Sequence, residues 1–342
     1  MSFKIWIPLL LSVCVLSMTI CLGGEGEREK PHIVSVPELE NADTKLGTHI
    51  EIEPIGKTDE TKFGNLTTFA LTPEDNILAC DAESNEIKVI APTGKILDTW
   101  KLDFAPYAMH SCRCGEVFVA GFGAVGKFDK KGKMIKQINA ETTDFPNSRS
   151  SGIAVFGENV FVAFGTGGSL RSRSKIVRFN RDLTMPVLIA EDMRGCCRRL
   201  DMVAWEDALY VAENARHRVV KFDRTGRMLS KWGARDRINM EGFGSCCNPM
   251  NLYYSPKGWL YTAESGLGRV KRYSPDGEFL GLVGYVGVAR FNQAGRLAAS
   301  CSNITVAVNK DESRVYVLDY KNNLIRVMES KNKGSIQDSK TK

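Results

Sequence analysis

One repeated unit accounts for most of this chain. Its clearest copies are LYVAENARHRVVKFDRTGRMLSKWG at residues 209–233 and LYTAESGLGRVKRYSPDGEFLGLVG at residues 260–284. Fainter copies are ILACDAESNEIKVIAPTGKILDTW, VFVAGFGAVGKFDKKGKMIKQI, VFVAFGTGGSLRSRSKIVRFNRDLTMPVLI and VYVLDYKNNLIRVME. A spacing of about 40 to 50 residues is typical of a four-stranded unit. Six copies therefore predict six such units packed side by side.

The repeats consist of short alternating strands separated by the turn sequences TG, KG, SPDG and PKG. This pattern predicts an all-β fold, a six-bladed β-propeller. The segments RVVKFDRTGRML and RVKRYSPDGEFL resemble the NHL-repeat family of six-bladed propellers, over about residues 64–329. The resemblance implies that fold, and it implies a platform that presents one propeller face to a partner.

The ends of the chain predict how the ring closes. The sixth copy supplies three strands, at about residues 304–308, 314–318 and 324–329, and a polar tail follows at 331–342. HIEIEPI, at residues 49–55, alternates like a strand and belongs to no other copy. We expect it to be the missing outer strand, because the last blade would otherwise expose a backbone edge. The propeller is thus predicted to span residues 49–330.

The first residues are typical of a targeting segment. Lys4 precedes IWIPLLLSVCVLSMTICLGG, an apolar run that ends in small residues at about position 24. Three interpretations fit this run: a signal peptide, an uncleaved anchor of ~20 residues, or a lipoprotein site at Cys21. Residues 25–48 are expected to form a linker. Each alternative predicts an extracytoplasmic (secreted, periplasmic or membrane-anchored) propeller that meets the membrane only through this segment. The net charge of +6 is spread along the chain, which gives no footprint for nucleic acid.

Eight cysteines remain when Cys14 and Cys21 are assigned to the leader. Alignment of the copies places three of them just before the innermost strand of blades four, five and six. These are Cys197, Cys247 and Cys301, preceded by Cys196, Cys246 and Ser300, and Cys80 is expected nearby. The sequence therefore predicts a sulfur-rich rim at one mouth of the central channel. Cys112 and Cys114, in HSCRCGEV with His110, are predicted to lie on the opposite face.

Carboxylates follow the second strand of four copies and are expected on the same face as the rim. They are Asp81, Glu213, Glu264 and Asp319. Two interpretations stay open for them. They accept hydrogen bonds from backbone donors in the loop that follows the strand, or they are cation or ligand contacts, with Ca²⁺ as the candidate cation.

The rim cysteines have three interpretations. Disulfides between blades would brace the ring. Thiolates from several blades would bind a soft metal or an iron–sulfur cluster, although the spacing matches no known ligand signature. A vicinal disulfide between Cys246 and Cys247 would be strained and readily reduced. His110, Cys112 and Cys114 are a secondary candidate for a local metal site, a reduced pair or a surface disulfide.

The sequence contains few signals of catalysis. The four histidines, at positions 32, 49, 110 and 217, are too scattered to predict a three-histidine metal site, and no nucleophile–base pair or phosphate loop is visible. We expect an extracytoplasmic binding or scaffold propeller whose cysteine-rich face takes a protein or small-molecule ligand. The alternative is a redox or electron-transfer protein with a thiolate-bound metal or iron–sulfur cluster at that face. A Ca²⁺-dependent hydrolase or lyase is a third hypothesis.

Overall fold

The computed structural model describes residues 47–139, 149–166, 173–196, 199–236, 239–244, 247–287 and 303–332. The predicted leader and most of the linker and tail lie outside these ranges. No helix in the described ranges is both long enough and apolar enough to cross a membrane.

Strands in the described ranges form six four-stranded antiparallel sheets, as predicted. Blade one contains β2 (Leu66–Leu71), β3 (Ile77–Asp81), β4 (Glu86–Ile90) and β5 (Ile96–Lys101). Blade two contains β6 (Pro106–Ser111), β7 (Val117–Gly121), β8 (Ala124–Phe128) and β9 (Met134–Asn139). Blade three contains β10 (Arg149–Phe156), β11 (Asn159–Thr166), β12 (Arg173–Asn180) and β13 (Val187–Arg194).

Blade four contains β14 (Asp201–Trp205), β15 (Ala208–Glu213), β16 (Arg218–Asp223) and β17 (Met228–Trp232), with a 3₁₀ turn at Asn214–Arg216. Blade five contains β18 (Asn251–Tyr254), β19 (Leu260–Glu264), β20 (Arg269–Tyr273) and β21 (Phe279–Tyr285). Blade six contains β22 (Val306–Val308), β23 (Arg314–Asp319), β24 (Leu324–Ser330) and, from the other end of the chain, β1 (His49–Ile55).

The ring closes where the sequence predicts. β1 pairs antiparallel with β24, with His49 opposite Ser330 and Ile52 opposite Val327. An ion pair of 3.1 Å between Glu51 and Arg326 joins the same two strands. The two ends of the propeller thus share one sheet, and the last blade gains its fourth strand.

The apolar core is divided into six clusters, one between each pair of neighbouring blades. This division follows from the burial of the middle strands. Every residue of β3, β7, β15 and β19 is buried, which is expected of strands covered on both sheet faces. Each blade therefore depends on both neighbours for its core.

Tight turns at the outer edge of the ring carry part of the packing between blades. Gly277 has φ of +92°, and an added Cβ would lie 2.4 Å from Cγ of Trp232 in the preceding blade. Gly132 bears the same relation to Trp100, at 2.3 Å. A glycine is required at both turns because its backbone conformation disfavours other residues and the indole ring occupies the space of a side chain.

We call the face where the inner strands begin the rim face, and the face where each inner strand turns into the second strand the hairpin face. The first strand of every blade runs from the rim face to the hairpin face along the central channel.

Candidate functional site in the central channel

The central channel encloses a cavity of about 1120 Å³. The inner strands of all six blades line it, and the turns that follow them extend it to the hairpin face. This volume slightly exceeds the range of about 300–1,000 Å³ that is usual for small-molecule sites. The channel is therefore the principal candidate site in the described part of the chain.

A belt of hydrogen bonds joins successive inner strands near the rim face. The hydroxyl of Thr67 donates to the carbonyl oxygen of Pro106 at 2.6 Å, and the Leu200 backbone N–H donates to the Ser151 hydroxyl at 3.0 Å. In blade six the side-chain amide of Asn303 donates to the carbonyl oxygen of Thr67. Each bond links one blade to the next.

The same belt continues through blades four to six. The Leu252 N–H donates to Oδ2 of Asp201 at 2.8 Å, and the Val306 N–H donates to Oδ1 of Asn251 at 2.8 Å. Sequence reasoning missed these residues. The available signal is positional, since Asp201 and Asn251 each open the first strand of a well-formed repeat, where an inner-strand side chain is able to reach the next blade.

Asp201 is the carboxylic acid of this belt. Burial raises its pKa to about 7, although hydrogen bonds from the backbone N–H groups of Leu252 and Met202 act in the opposite direction. A carboxyl group with a pKa near neutrality is present in both protonated and ionised forms near pH 7. The protonated form is able to donate a hydrogen bond to a bound molecule, and the ionised form is able to accept one.

Guanidinium groups lie at both ends of the channel. The Arg149 guanidinium stacks over the Tyr107 ring at 3.8 Å, and Arg113 lies 5.5 Å from the centre of the Trp205 ring. Arg149 begins an inner strand on the rim face, whereas Arg113 belongs to a turn on the hairpin face. Aromatic stacking holds a guanidinium in one orientation and leaves its N–H donors available.

The four predicted carboxylates are buried at the last residue of the second strand of their blades. Glu264 accepts hydrogen bonds from the Gly244 N–H at 2.9 Å and from Arg269 at 2.8 and 3.0 Å. It also pairs with Lys271 at 2.7 Å. Both oxygens of Glu264 therefore have partners within the protein.

Lys271 is fully buried, and its ammonium group has three acceptors. These are Glu264, the carbonyl oxygen of Met240 at 2.9 Å and the carbonyl oxygen of Gly242 at 2.6 Å. Burial lowers the pKa of Lys271 to about 8, and the Glu264 carboxylate opposes that shift. The pair thereby fixes the loop that leads into blade five.

The other three carboxylates also have internal partners. Asp81 accepts from the backbone N–H groups of Gly64 and Asn65 at 2.8 and 2.9 Å. Glu213 accepts from the Arg194 N–H and pairs with Arg216 and Arg218 at 2.6 and 2.5 Å. Asp319 pairs with Arg326 at 2.8 Å. Asp81, Glu213 and Glu264 therefore accept backbone N–H groups from the segment before their own blade. In the loop after the strand, the Glu83 N–H donates to Asp81 at 3.2 Å and the Asn322 N–H donates to Asp319 at 3.3 Å, as the backbone-donor interpretation expects.

Two of the predicted rim cysteines, Cys196 and Cys247, lie at one apolar cluster. Cys196 of blade four packs against the apolar cluster that contains Cys247 of blade five. Cys197, Cys246 and Cys301 lie outside the described residues. The repeat register beneath the rim is nevertheless regular, since Asp201 and Asn251 lie opposite Ala212 and Ala263, the residues before Glu213 and Glu264.

Cys80 lies at the rim-face end of β3, one residue before Asp81, and its side chain points into the core. It is fully buried in the cluster between blades one and two, and burial raises the pKa of its thiol well above the usual value. The physical reason is strand alternation, because residue 80 points to the neighbouring blade whereas Asp81 points the other way.

Cys112 and Cys114 lie in the turn between β6 and β7 on the hairpin face, as predicted. With His110 they border the channel. Burial lowers the pKa of His110 to about 4, and the positive charge of Arg181 acts in the same direction. His110 is therefore neutral at physiological pH.

A metal site needs several donor side chains close to one point. In the residues that the structure describes, no three side chains of histidine, cysteine, aspartate or glutamate lie close enough together to hold a metal ion. This result applies to the secondary site at His110, Cys112 and Cys114. Three of the six rim cysteines are outside those residues, so a thiolate site at the rim stays a prediction.

No family model matches the sequence, and no curated protein matches it. Solved structures do resemble the fold. A calcium-binding regucalcin from Agrobacterium tumefaciens is 14% identical with a TM-score of 0.57, covering 82% of this chain and 94% of that one. A gluconolactonase from Xanthomonas campestris is 10% identical with a TM-score of 0.55, covering 83% and 98%. These comparisons show the fold alone.

A third solved structure with this fold is that of a lyase. The virginiamycin B lyase of Staphylococcus aureus is 12% identical with a TM-score of 0.51, covering 83% of this chain and 88% of that one. A binding protein, a lactonase and a lyase thus share this architecture. The fold is compatible with several functions, and the residues of the channel have to distinguish them.

Proposed function

We propose that this protein is an extracytoplasmic binding propeller whose central channel takes up a small organic anion. The stacked guanidinium of Arg149 carries this proposal. Within the described part of the chain, Arg149 and Arg113 contact aromatic rings and neither has a carboxylate partner. Fixed guanidinium groups bind carboxylates and phosphates through paired N–H donors.

The rest of the channel supports the same ligand class. The two guanidinium groups border one cavity, and Asp201 adds a group that changes its protonation near neutral pH. An anion with hydroxyl groups would use both kinds of contact. The apolar leader supports an extracytoplasmic location, because it is typical of secreted or anchored proteins.

The test is calorimetric titration of the full chain with citrate, a hexuronate and a hexose phosphate, each compared with its uncharged analogue. We expect at least one anion to bind.

The variant Arg149→Met keeps the contact with Tyr107 but removes the charge. The dissociation constant of the anion should rise by roughly 10- to 100-fold in this variant, because one charged hydrogen bond is lost. Arg224→Met, in the exposed β16–β17 turn, is the matched control and should bind like the wild type.

Two results would overturn the proposal. One is that none of the anions binds the wild-type protein. The other is that uncharged analogues bind as tightly as the anions and Arg149→Met leaves that affinity unchanged.

A thiolate-bound metal or iron–sulfur cluster on the rim face is the second candidate function. The observation that favours it is that Cys196, from blade four, packs against the apolar cluster that contains Cys247, from blade five. Metal analysis and a visible absorption spectrum of anaerobically purified protein should then show stoichiometric metal. Eight oxidised cysteines without metal would instead indicate a disulfide-braced binding module.

A further inference from the structure

The turn that contains Cys112 and Cys114 differs from six turns of the same hydrogen-bonded type, three between first and second strands and three between third and fourth strands. In these turns the first residue is joined to the fourth by a backbone hydrogen bond, and its side chain usually accepts a backbone N–H of the same turn. Side chains that do so are Thr72, Asp129, Asp223, Ser255, Ser274 and Asn309. Cys112 occupies this position in blade two, but it packs into the core between blades two and three. The turn alone therefore does not explain a cysteine here.

The second cysteine of the turn contacts a fixed cation. Nη2 of Arg181, from the β12–β13 turn of blade three, lies 3.0 Å from Sγ of Cys114. Arg181 is oriented by the carbonyl oxygen of Gly157 at 2.6 Å and by Glu116 at 2.7 Å. Cys114 is exposed at the channel mouth, and Cys112, two residues earlier in the same turn, is buried. Neither thiol is in a disulfide.

The charges around Cys114 do not cancel. Lys127 and Arg181 both pair with Glu116, at 2.9 and 2.7 Å, so two cations share one carboxylate. His110 adds no charge at neutral pH, since its pKa is about 4. Cys114 Sγ lies 3.9 Å from Oε2 of the same carboxylate, so two cations and one anion surround the sulfur. Reactive cysteines occur in partly exposed surroundings of this electropositive kind.

We propose that Cys112 and Cys114 form a redox-active dithiol that reduces hydroperoxides, with Cys114 as the attacking thiolate, Cys112 as the resolving thiol and Arg181 as the residue that positions Cys114. The assignment of the two roles follows from accessibility. Cys114 is exposed, whereas burial raises the pKa of Cys112 to about 12 although the charge of Arg181 opposes this.

The chemistry takes two steps. The Cys114 thiolate attacks an oxygen of hydrogen peroxide, an S–O bond forms, the O–O bond breaks, and the released hydroxide takes up a proton to give water. The Cys112 sulfur then attacks the Cys114 sulfenic acid. The S–S bond forms, the S–O bond breaks, and the hydroxide leaves as water with the proton of Cys112. Two thiols and one peroxide thus give one disulfide and two waters, and an external thiol reductant restores the pair.

The test uses the reduced full chain, hydrogen peroxide and peptide mapping by mass spectrometry. We expect a Cys112–Cys114 disulfide in the wild type. Cys112→Ser should stop at a Cys114 sulfenic acid that dimedone traps, and Cys114→Ser should leave Cys112 reduced. Cys80 is the internal control, because a fully buried thiol should not react in the folded protein.

Arg181→Met should slow the oxidation of Cys114 by about tenfold or more, and Arg181→Lys should restore part of the rate, since both changes act through the charge beside the sulfur. Arg224→Met is the matched control for loss of an arginine in a turn. Thermal unfolding of each variant shows whether the fold is retained. The proposal is overturned if wild-type Cys114 reacts no faster than free cysteine, or if the disulfide forms at the same rate in Arg181→Met.

Discussion

The two faces of the propeller use acid–base clusters for different purposes. On the rim face, Glu264 lies with Arg269 and Lys271 in a cluster that is almost completely shielded from solvent. On the hairpin face, Glu116 lies with Lys127 and Arg181, whose side chains are 12% and 21% exposed. The residue types are similar in both clusters.

Burial accounts for the difference. Both clusters set two cations against one carboxylate. In the Glu264 cluster all three groups are buried and have partners within the protein, and the cluster fixes a loop between blades. In the Glu116 cluster the groups are partly exposed, and the Cys114 thiol contacts one of the cations. A cluster of charges thus stabilises the fold when its donors and acceptors are all used inside, and it is available for chemistry when one of them faces solvent.

The sharpest test of this comparison removes the carboxylate charge from each cluster. Glu264→Gln should lower the free energy of unfolding by about 3–5 kcal/mol, because Arg269 and Lys271 would stay buried without a counter-charge. Glu116→Gln is the matched change on the hairpin face and should cost about 1 kcal/mol or less, since water reaches its partners. Urea unfolding followed by tryptophan fluorescence measures both. Equal losses would show that burial does not separate the two clusters.

The second prediction concerns the pH dependence of stability. The pKa of Asp201 rises from 3.8 to about 7 on folding, so the folded state binds this proton more tightly than the unfolded state. The resulting contribution to the free energy of unfolding is fully present below about pH 4 and is lost as the pH rises through 7. It amounts to at most about 4 kcal/mol.

Asp201→Asn tests that sign because asparagine still accepts the Leu252 hydrogen bond but does not titrate. The variant should therefore gain stability relative to the wild type as the pH rises from 4 to 8. Asp207→Asn, at an exposed turn of the same blade, is the control and should leave the pH profile unchanged. A parallel profile for Asp201→Asn and the wild type would show that Asp201 does not hold its proton in the channel.

The fold was predictable because its determinants are local and repeated. The period of the repeat, the turn residues and the alternation of residues 49–55 each follow from neighbouring positions in the chain. The closing strand follows from a count, since blade six lacks one strand. Sequence alone therefore specified six blades and the pairing of β1 with β24, which the structure confirms.

The site was predictable only in part because its chemistry depends on contacts between blades. Alignment placed Glu264 at the correct end of its strand, but the partnership with Lys271 depends on the third strand and on the loop before the blade. Alignment also placed Cys80 at the correct end of its strand, but the register gives the end of a strand and not the side to which a residue points. Asp201 was missed because its raised pKa comes from burial in the channel, which no sequence motif indicates.

The smallest expected effect concerns two glycines in turns on the hairpin face, whose roles the sequence alone does not distinguish. Gly277 and Gly157 both have positive φ, +92° and +52°. An added Cβ at Gly277 would collide with Trp232, whereas at Gly157 it would meet nothing within 4 Å. We expect Gly277→Ala to cost about 2–3 kcal/mol and Gly157→Ala about 1 kcal/mol, the cost of the backbone conformation alone.

A double-mutant cycle with Trp232→Leu identifies the cause of that difference. If the collision with the indole ring is responsible, Gly277→Ala should cost about 1 kcal/mol when the ring is removed, whereas the cost of Gly157→Ala should not change. Urea unfolding of the wild type, the three single variants and the two double variants gives the coupling energy of each pair. An unchanged cost at Gly277 would mean that the backbone conformation, and not the packing of blade four against blade five, requires glycine in this turn.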